Sequence, residues 1–234
     1  MHTAIDSDPT EGHTSKSVDH VLSELRLRTV SLGGLVIDQV SAAVRALLSS
    51  DGVVAAQVLS REFNVNLLHQ EIDRDAFEVI ARHQPMAGDL RLVSAVMRIS
   101  HELERAGDEA KKIAAFAMRV AGGSPQGPVG TVATYLRHMA DLSGAMLRDA
   151  VRALDESELQ MAKRVAARDV ELDDEFASAL RRVFTLVMEG EPYLRATIDT
   201  VFALKGLERI GDHAKNIAEQ VVFVLSPEQL GRRQ

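Results

Sequence analysis

Apolar side chains recur along this chain in alternating steps of three and four, the spacing that gathers them on one face of a helix. From Val18 to Ser49 they fall at Leu22, Leu25, Leu32, Val36, Val40, Ala43 and Leu47, predicting a long first helix that Gly33-Gly34 interrupts only weakly. Ser49-Ser50-Asp51-Gly52 ends it and offers Asp51 as the cap of a second. The second runs to about His83 on Val58, Val65, Leu68, Ile72, Ala76 and Val79, and Pro85 stops it, suited to the first turn of a third. The third carries the cleanest stripe, from Leu92 and Val96 through Leu103, Ala110 and Ala117 to Val120. GGSPQGP at 122 to 128 is the densest cluster of helix breakers and the natural joint of the chain.

The pattern then restarts. A fourth helix is expected from about Thr131 to Leu154 with Val132, Met139, Met146 and Ala150 inward, and Asp155 with Glu158 has capping-box spacing. A fifth carries Val165, Leu172, Phe176, Ala179, Val183 and Leu186 until Gly190-Glu191-Pro192. A sixth runs from about Tyr193 to Leu225 on Leu207, Ile210, Ala214, Ile217, Val221 and Val224. No stretch alternates with the period of two that marks a strand. Long helices joined by short turns pack antiparallel to their neighbours. The expected fold is therefore all-α: six long antiparallel helices in two tandem three-helix bundles. The expected boundaries are a flexible tail at 1–17, a first repeat at 18–121, a linker at 122–130, a second repeat at 131–226 and a C-terminal tail at 227–234.

One stretch occurs twice. LERAGDEAKKIA at 103 to 114 and LERIGDHAKNIA at 207 to 218 agree at nine of twelve positions with an offset of 104, which marks an internal duplication. Each copy holds two carboxylates four residues apart, Glu104 with Asp108 and Glu208 with Asp212, stacked on one face of a helix. Like charges so placed cost about 0.2–0.5 kcal/mol, and the glycine between them, Gly107 or Gly211, about 1 kcal/mol relative to alanine. Two unfavourable choices made twice at one spot suggest a bound group, and a hard cation would relieve the repulsion. These carboxylates lie off the apolar stripe, so the expected ligand site is at the surface of a bundle. In an antiparallel bundle the early part of the second helix lies beside the middle of the third. There stand Glu62 and Asn66, and in the second half Asp169 and Asp173. Such clusters suit Mg, Mn, Ca or Fe, whereas zinc normally recruits His or Cys.

The plainer reading of each pair is a solvated helix face, with Lys111 and Lys215 three residues beyond each Asp as ion-pair partners. His101 reads as an incidental surface residue, His213 points away from Asp212, Arg91 and Arg195 suit salt bridges at helix ends, and the methionines read as packing.

Composition narrows the function. Aromatic residues make up 4% with no Trp, and the net charge is -7, which argues against single-strand stacking platforms and a DNA footprint. No cysteine is present, which removes disulfides, thiolate metal sites and cysteine nucleophiles. No apolar run approaches the length of a membrane span, and MHTAIDSDPTEGHTSKS lacks the basic start and apolar middle of a signal peptide.

LERIGDHAKNIAE, QPMAGDLRLV at 84 to 93, the doubled three-helix pattern and the polar pairs together resemble the PhoU family of the bacterial high-affinity phosphate transport system. The resemblance implies a cytoplasmic, often dimeric, all-helical protein that is not an enzyme and reaches the membrane only through its partners. It implies metal clusters held by paired E(D)xxxD motifs, and repression of the phosphate-starvation response through contact with the transporter's ATPase subunit and the sensor histidine kinase. Carried over, the motif falls on Glu62 to Asn66, Glu104 to Asp108, Asp169 to Asp173 and Glu208 to Asp212. Asn66 departs from it as an amide, and Lys112 stands where the second copy has Asn216, so the first site is expected to hold fewer or weaker metals. Two other classes remain open: a carboxylate-bridged dimetal oxidase, which would want a Glu-x-x-His pair on two core helices, and a metal-free structural coiled-coil scaffold. Val93, Met97 and Phe116 are expected to leave apolar surface for a second copy.

Overall fold

In the computed structural model, which describes residues 11–120, 128–188 and 194–226, every long apolar stripe becomes a helix. They are α1 (Glu11–Ser49), α2 (Gly52–His83), α3 (Ala87–Val120), the short α4 (Pro128–Thr131), α5 (Ala133–Asp155), α6 (Leu159–Met188) and α7 (Leu194–Leu225). The described residues contain no strand. Asp51 caps α2 as its position predicts, accepting hydrogen bonds from Val53 N at 2.9 Å and Val54 N at 3.1 Å. Two of the first-turn donors that a helix leaves unpaired are satisfied this way.

Several boundaries differ from the sequence expectation. The tail expected at 1–17 yields to helix from Glu11 on, because extending an existing helix adds one hydrogen bond per residue fixed, whereas nucleating one does not. The linker expected at 122–130 contributes its last three residues to α4, a seventh helix that periodicity does not reveal. Residues 121 to 127, Gly190-Glu191-Pro192 and the expected tail at 227–234 lie outside the described residues. Pro85 does not enter α3. Left-handed Gln84 (φ 45) and Ala87 (φ 46) turn the chain on either side of it, and Gln84 N closes α2 onto Ile80 O. Asp155 belongs to the end of α5 and does not cap α6.

α1, α2 and α3 pack on one another, and so do α5, α6 and α7. The two bundles join along α1 with α5 and α3 with α7. Leu32, Leu47, Ile72, Ile99, Leu103 and Ile113 fill the first bundle, and Leu136, Met139, Met146, Leu147, Leu172 and Leu204 the second, within one continuous apolar cluster. Burying each such side chain is worth about 1.5–3 kcal/mol. Val18–Ser49 of α1 is long and apolar enough to cross a membrane. It spends that character inward, with Leu22, Leu25, Leu32, Val36, Val40 and Leu47 all buried.

Glycine sets the spacing where α1 crosses α5. A Cβ at Gly33 would stand 2.6 and 2.8 Å from the two γ-carbons of Val151, so only glycine admits this approach. Arg26 Nη1 reaches Ser157 Oγ at 3.3 Å further along the same pair, so the two helices run antiparallel. α3 and α7 also run antiparallel. Arg98 pairs with Gln220, Glu102 with His213 and Asn216, Glu109 with Arg209, and Arg119 with Asp199. The last is a two-pronged ion pair at 3.0 and 2.8 Å. Gly206 lies against Ile113 and Glu109, its would-be Cβ 3.3 Å from Ile113 Cγ1 and 3.6 Å from Glu109 Oε2. Two of the side chains expected to await a partner are covered within the chain. Val93 is fully buried, and Phe116 lies with its ring 6.2 Å from that of Phe202 on α7.

Candidate metal centres

Each LERxGD copy sits in the middle of α3 or α7, and its glycine faces the neighbouring helix of its own bundle. A Cβ at Gly107 would lie 3.3 Å from Val65 Cγ1, and one at Gly211 would overlap Leu172 Cδ2. Val65 and Leu172 hold the same place in EFNVN and DVELD. The two halves therefore share this contact, and the second polar pair of each half is brought beside the first.

In the first half, Glu62 on α2 is 4% exposed and Gln39 on α1 is 1% exposed. Gln39 Nε2 donates to Glu62 Oε2 at 2.6 Å. Three oxygens here are buried without a hydrogen-bond partner: Gln39 Oε1, Glu62 Oε1 and Asn66 Oδ1. The would-be Cβ of Gly107 stands 3.7 Å from Glu62 Oε2 and 3.8 Å from Gln39 Oε1, so the missing side chain keeps the space over these oxygens open. Burial pushes the Glu62 carboxyl above its ordinary range, the Gln39 amide and the Lys111 ammonium pull it back, and the neighbouring Asp108 charge raises it again. Lys111 Nζ lies 3.4 Å from Asp108 Oδ1. Glu104, half-buried one turn before Asp108, makes no hydrogen bond or ion pair with a described residue.

In the second half, Asp169 on α6 is 7% exposed and accepts a hydrogen bond from the Lys215 ammonium of α7, whose own pKa is raised by it. Asp212 is pushed above the usual carboxylate range, first by burial and then by the charges of Asp169 and Asp173, while Lys205 and His213 oppose the rise. Asp173 itself is exposed. Glu208 pairs through Oε1 with Lys205, and its Oε2 is buried without a partner.

The surface placement expected for the site is thus half right. Glu104, Asp108, Glu208 and Asp212 are partly exposed, but Glu62 and Asp169, reached from the adjoining helix, are buried. Lys112 does not approach the first site, because its ammonium turns to Glu109 Oε1 at 2.8 Å on the α7 side of α3. His213 points away from Asp212, as expected, with Nδ1 2.7 Å from Glu102 Oε2.

Among the described residues, no three His, Asp or Glu side chains are gathered closely enough to hold a metal ion by themselves. The first half nevertheless suits an oxygen-seeking cation when amide oxygens are counted. Gln39 and Asn66 add two carbonyl donors to Glu62 and Asp108, and an unpaired buried oxygen costs about 1–3 kcal/mol that a cation would recover. Gln39 was missed from the sequence. Its signal was a lone amide on the apolar stripe of α1, between Val36 and Ala43.

Fold and site together define an all-helical tandem-repeat protein with an acidic cluster between two helices of each repeat. The PhoU domain matches residues 29–117 and again 136–221, and the chain belongs to the PhoU family. It is 37% identical over 223 residues to a phosphate-specific transport system accessory protein PhoU homolog of Pseudomonas putida, covering 94% of this chain and 85% of that one. A homolog of the same description in Caulobacter vibrioides is 36% identical, covering 93% of this chain and 94% of the relative. The crystal structure of PhoU from Pseudomonas aeruginosa superimposes with a TM-score of 0.83 at 36% identity, over 89% of this chain and 99% of that one. The phosphate transport system regulatory protein PhoU from Streptococcus pneumoniae gives 0.81 at 25% identity, over 90% and 98%.

Proposed function

We propose that this chain is a cytoplasmic, non-enzymatic adaptor that signals phosphate sufficiency. It links the ATPase subunit of a phosphate ABC transporter to a sensor histidine kinase and so holds down the phosphate-starvation response. The observation that carries the reading is the doubled LERxGD motif, each copy set beside a buried carboxylate of the adjoining helix. Relatives described as accessory and regulatory proteins of phosphate transport support it.

Mg, Mn or Fe is the expected occupant of the clusters. Gln39, Glu62, Asn66 and Asp108 would hold it in the first half, and Asp169, Asp173, Glu208 and Asp212 in the second. Bound there, such an ion supplies positive charge between α2 and α3 or between α6 and α7. The protein's own part is to fix the spacing of each helix pair through Gly107 and Gly211, and to keep water from Glu62 and Asp169. The exposed apolar side chains of α6 and α7, among them Phe184, Leu194, Ile198 and Phe202, offer a face for a partner or a second copy.

Deleting the gene tests the functional reading. Phosphate-starvation genes should be expressed in phosphate-rich medium, and expression that stays low would overturn it. Recovery of the transporter ATPase or the kinase with the tagged chain from phosphate-replete cells is the accompanying expectation.

A further inference from the structure

The two clusters answer their negative charge differently. In the first, Gln39 and Glu62 are each more than nine-tenths buried and each carries an unpaired Oε1, that of Gln39 beside Gly107, with Asn66 Oδ1 as a third unpaired oxygen. The nearby ammonium, Lys111, stays at the rim, 3.4 Å from Asp108 and without a hydrogen bond to Glu62. In the second, AVRAL at 150–154 repeats AVRAL at 43–47, which puts Met146 in the place of Gln39. Met146 is fully buried, its Cε 3.7 Å from the would-be Cβ of Gly211, and it brings no oxygen to the cluster. There Lys215 reaches past its own helix to the buried Asp169, where its charge also faces Asp212 and Glu219. Lys205 covers Glu208. An ammonium and a hard metal ion seek the same carboxylate lone pairs, so the position Lys215 holds is one a metal would need.

We propose that the halves accept a divalent cation by different routes: the first takes it directly on free oxygens that include Gln39, whereas the second takes it only by expelling the tethered ammonium of Lys215. This rests on the cation-binding reading above and reverses the ranking that Asn66 and Lys112 suggest from sequence. Gln39 is the ligand that separates the halves, and Lys215 is a built-in counter-ion, bound by a fixed tether at high local concentration.

The test is a Mn2+ titration of the full-length, metal-free protein by calorimetry, with melting followed in parallel. The wild type should show one tight class of site, which Gln39→Ala and Glu62→Gln each weaken by about ten-fold or more. Lys215→Met should melt lower without metal, show a second tight class and regain its melting temperature with Mn2+. Adding Asp169→Asn to Lys215→Met should remove that second class. Lys215→Gln, which keeps a polar end, serves beside Lys215→Met in case the apolar variant misfolds. If the wild type binds Mn2+ and neither Lys215 variant adds a class, the exchange is overturned and the cation reading stands. If wild type and variants alike bind no Mn2+, both fall.

Discussion

Gly211 of α7 lies directly beneath Leu172 of α6, while its repeat counterpart Gly107 leaves 3.3 Å to Val65. The same contact is therefore tight in one half and merely close in the other. Overpacking a buried leucine costs about 1–3 kcal/mol, of which helix propensity returns about 1 kcal/mol when glycine becomes alanine. Gly211→Ala should lose up to about 2 kcal/mol in urea denaturation, and Gly107→Ala should fall within about 1 kcal/mol of wild type. Equal stability of the two variants would mean that α6 and α7 are not held at this spacing.

The crossing of α1 and α5 makes a second prediction. Val151 is β-branched and stiff at χ1, so it cannot swing away from a methyl group placed on Gly33. Gly33→Ala should destabilise by about 1–3 kcal/mol. Val151→Ala in that background should restore part of the loss, a coupling that a double-mutant cycle reads directly. Simple additivity of the two changes would place the close approach elsewhere.

Glu62 gives the metal-free protein a pH dependence. Its folded pKa is raised, by burial above all, so its contribution to stability is present below the unfolded value and lost as pH rises through the folded one. Glu62→Gln should therefore exceed wild type in stability at about pH 7.5, with the gap closing toward about pH 5. Asp212, raised by burial and by Asp169, should behave alike in Asp212→Asn. A gap that widens on acidification would reverse the sign and refute the burial of Glu62 as its cause.

Glu102 has the opposite sign. Burial opposes its ionisation, but hydrogen bonds from His213 and Asn216 prevail and lower its pKa, so its stabilisation is lost as pH falls through the folded value. Glu102→Gln should cost about 1–2 kcal/mol at neutral pH and flatten the acid limb of the stability curve. An acid limb that keeps the wild-type slope would show that this seam contact carries no weight.

The helices and the repeat were legible because a period of 3.6 records which face of a helix is covered, and nine matched residues in twelve fix the register of one copy on the other. Leu103, Ala106, Ala110 and Ile113 were placed this way and are buried. What covers a face leaves no such trace. Glu62 was correctly set beside the motif, yet its depth depends on Gln39 of α1, more than 20 residues earlier, and on the size of Val65. Lys215 was expected to serve the Asp three residues before it. Its long stem let it cross to Asp169 instead, a choice that depends on inter-helix distance and not on spacing. Short α4 and the early start of α1 escaped because four residues hold too few positions to show a period, and a polar first turn shows none.

The α3–α7 seam also bears on which repeats can pair with which. Glu102 and Gly206 hold equivalent positions, as do Glu109 and His213, and the structure sets Glu102 against His213 and Gly206 against Glu109. Two first repeats meeting along this surface would instead press Glu102 toward Glu109, anion on anion, while two second repeats would face His213 with nothing but Gly206. The duplicated halves have thus diverged into lock and key, and a first repeat takes a second repeat along this seam in preference to a copy of itself.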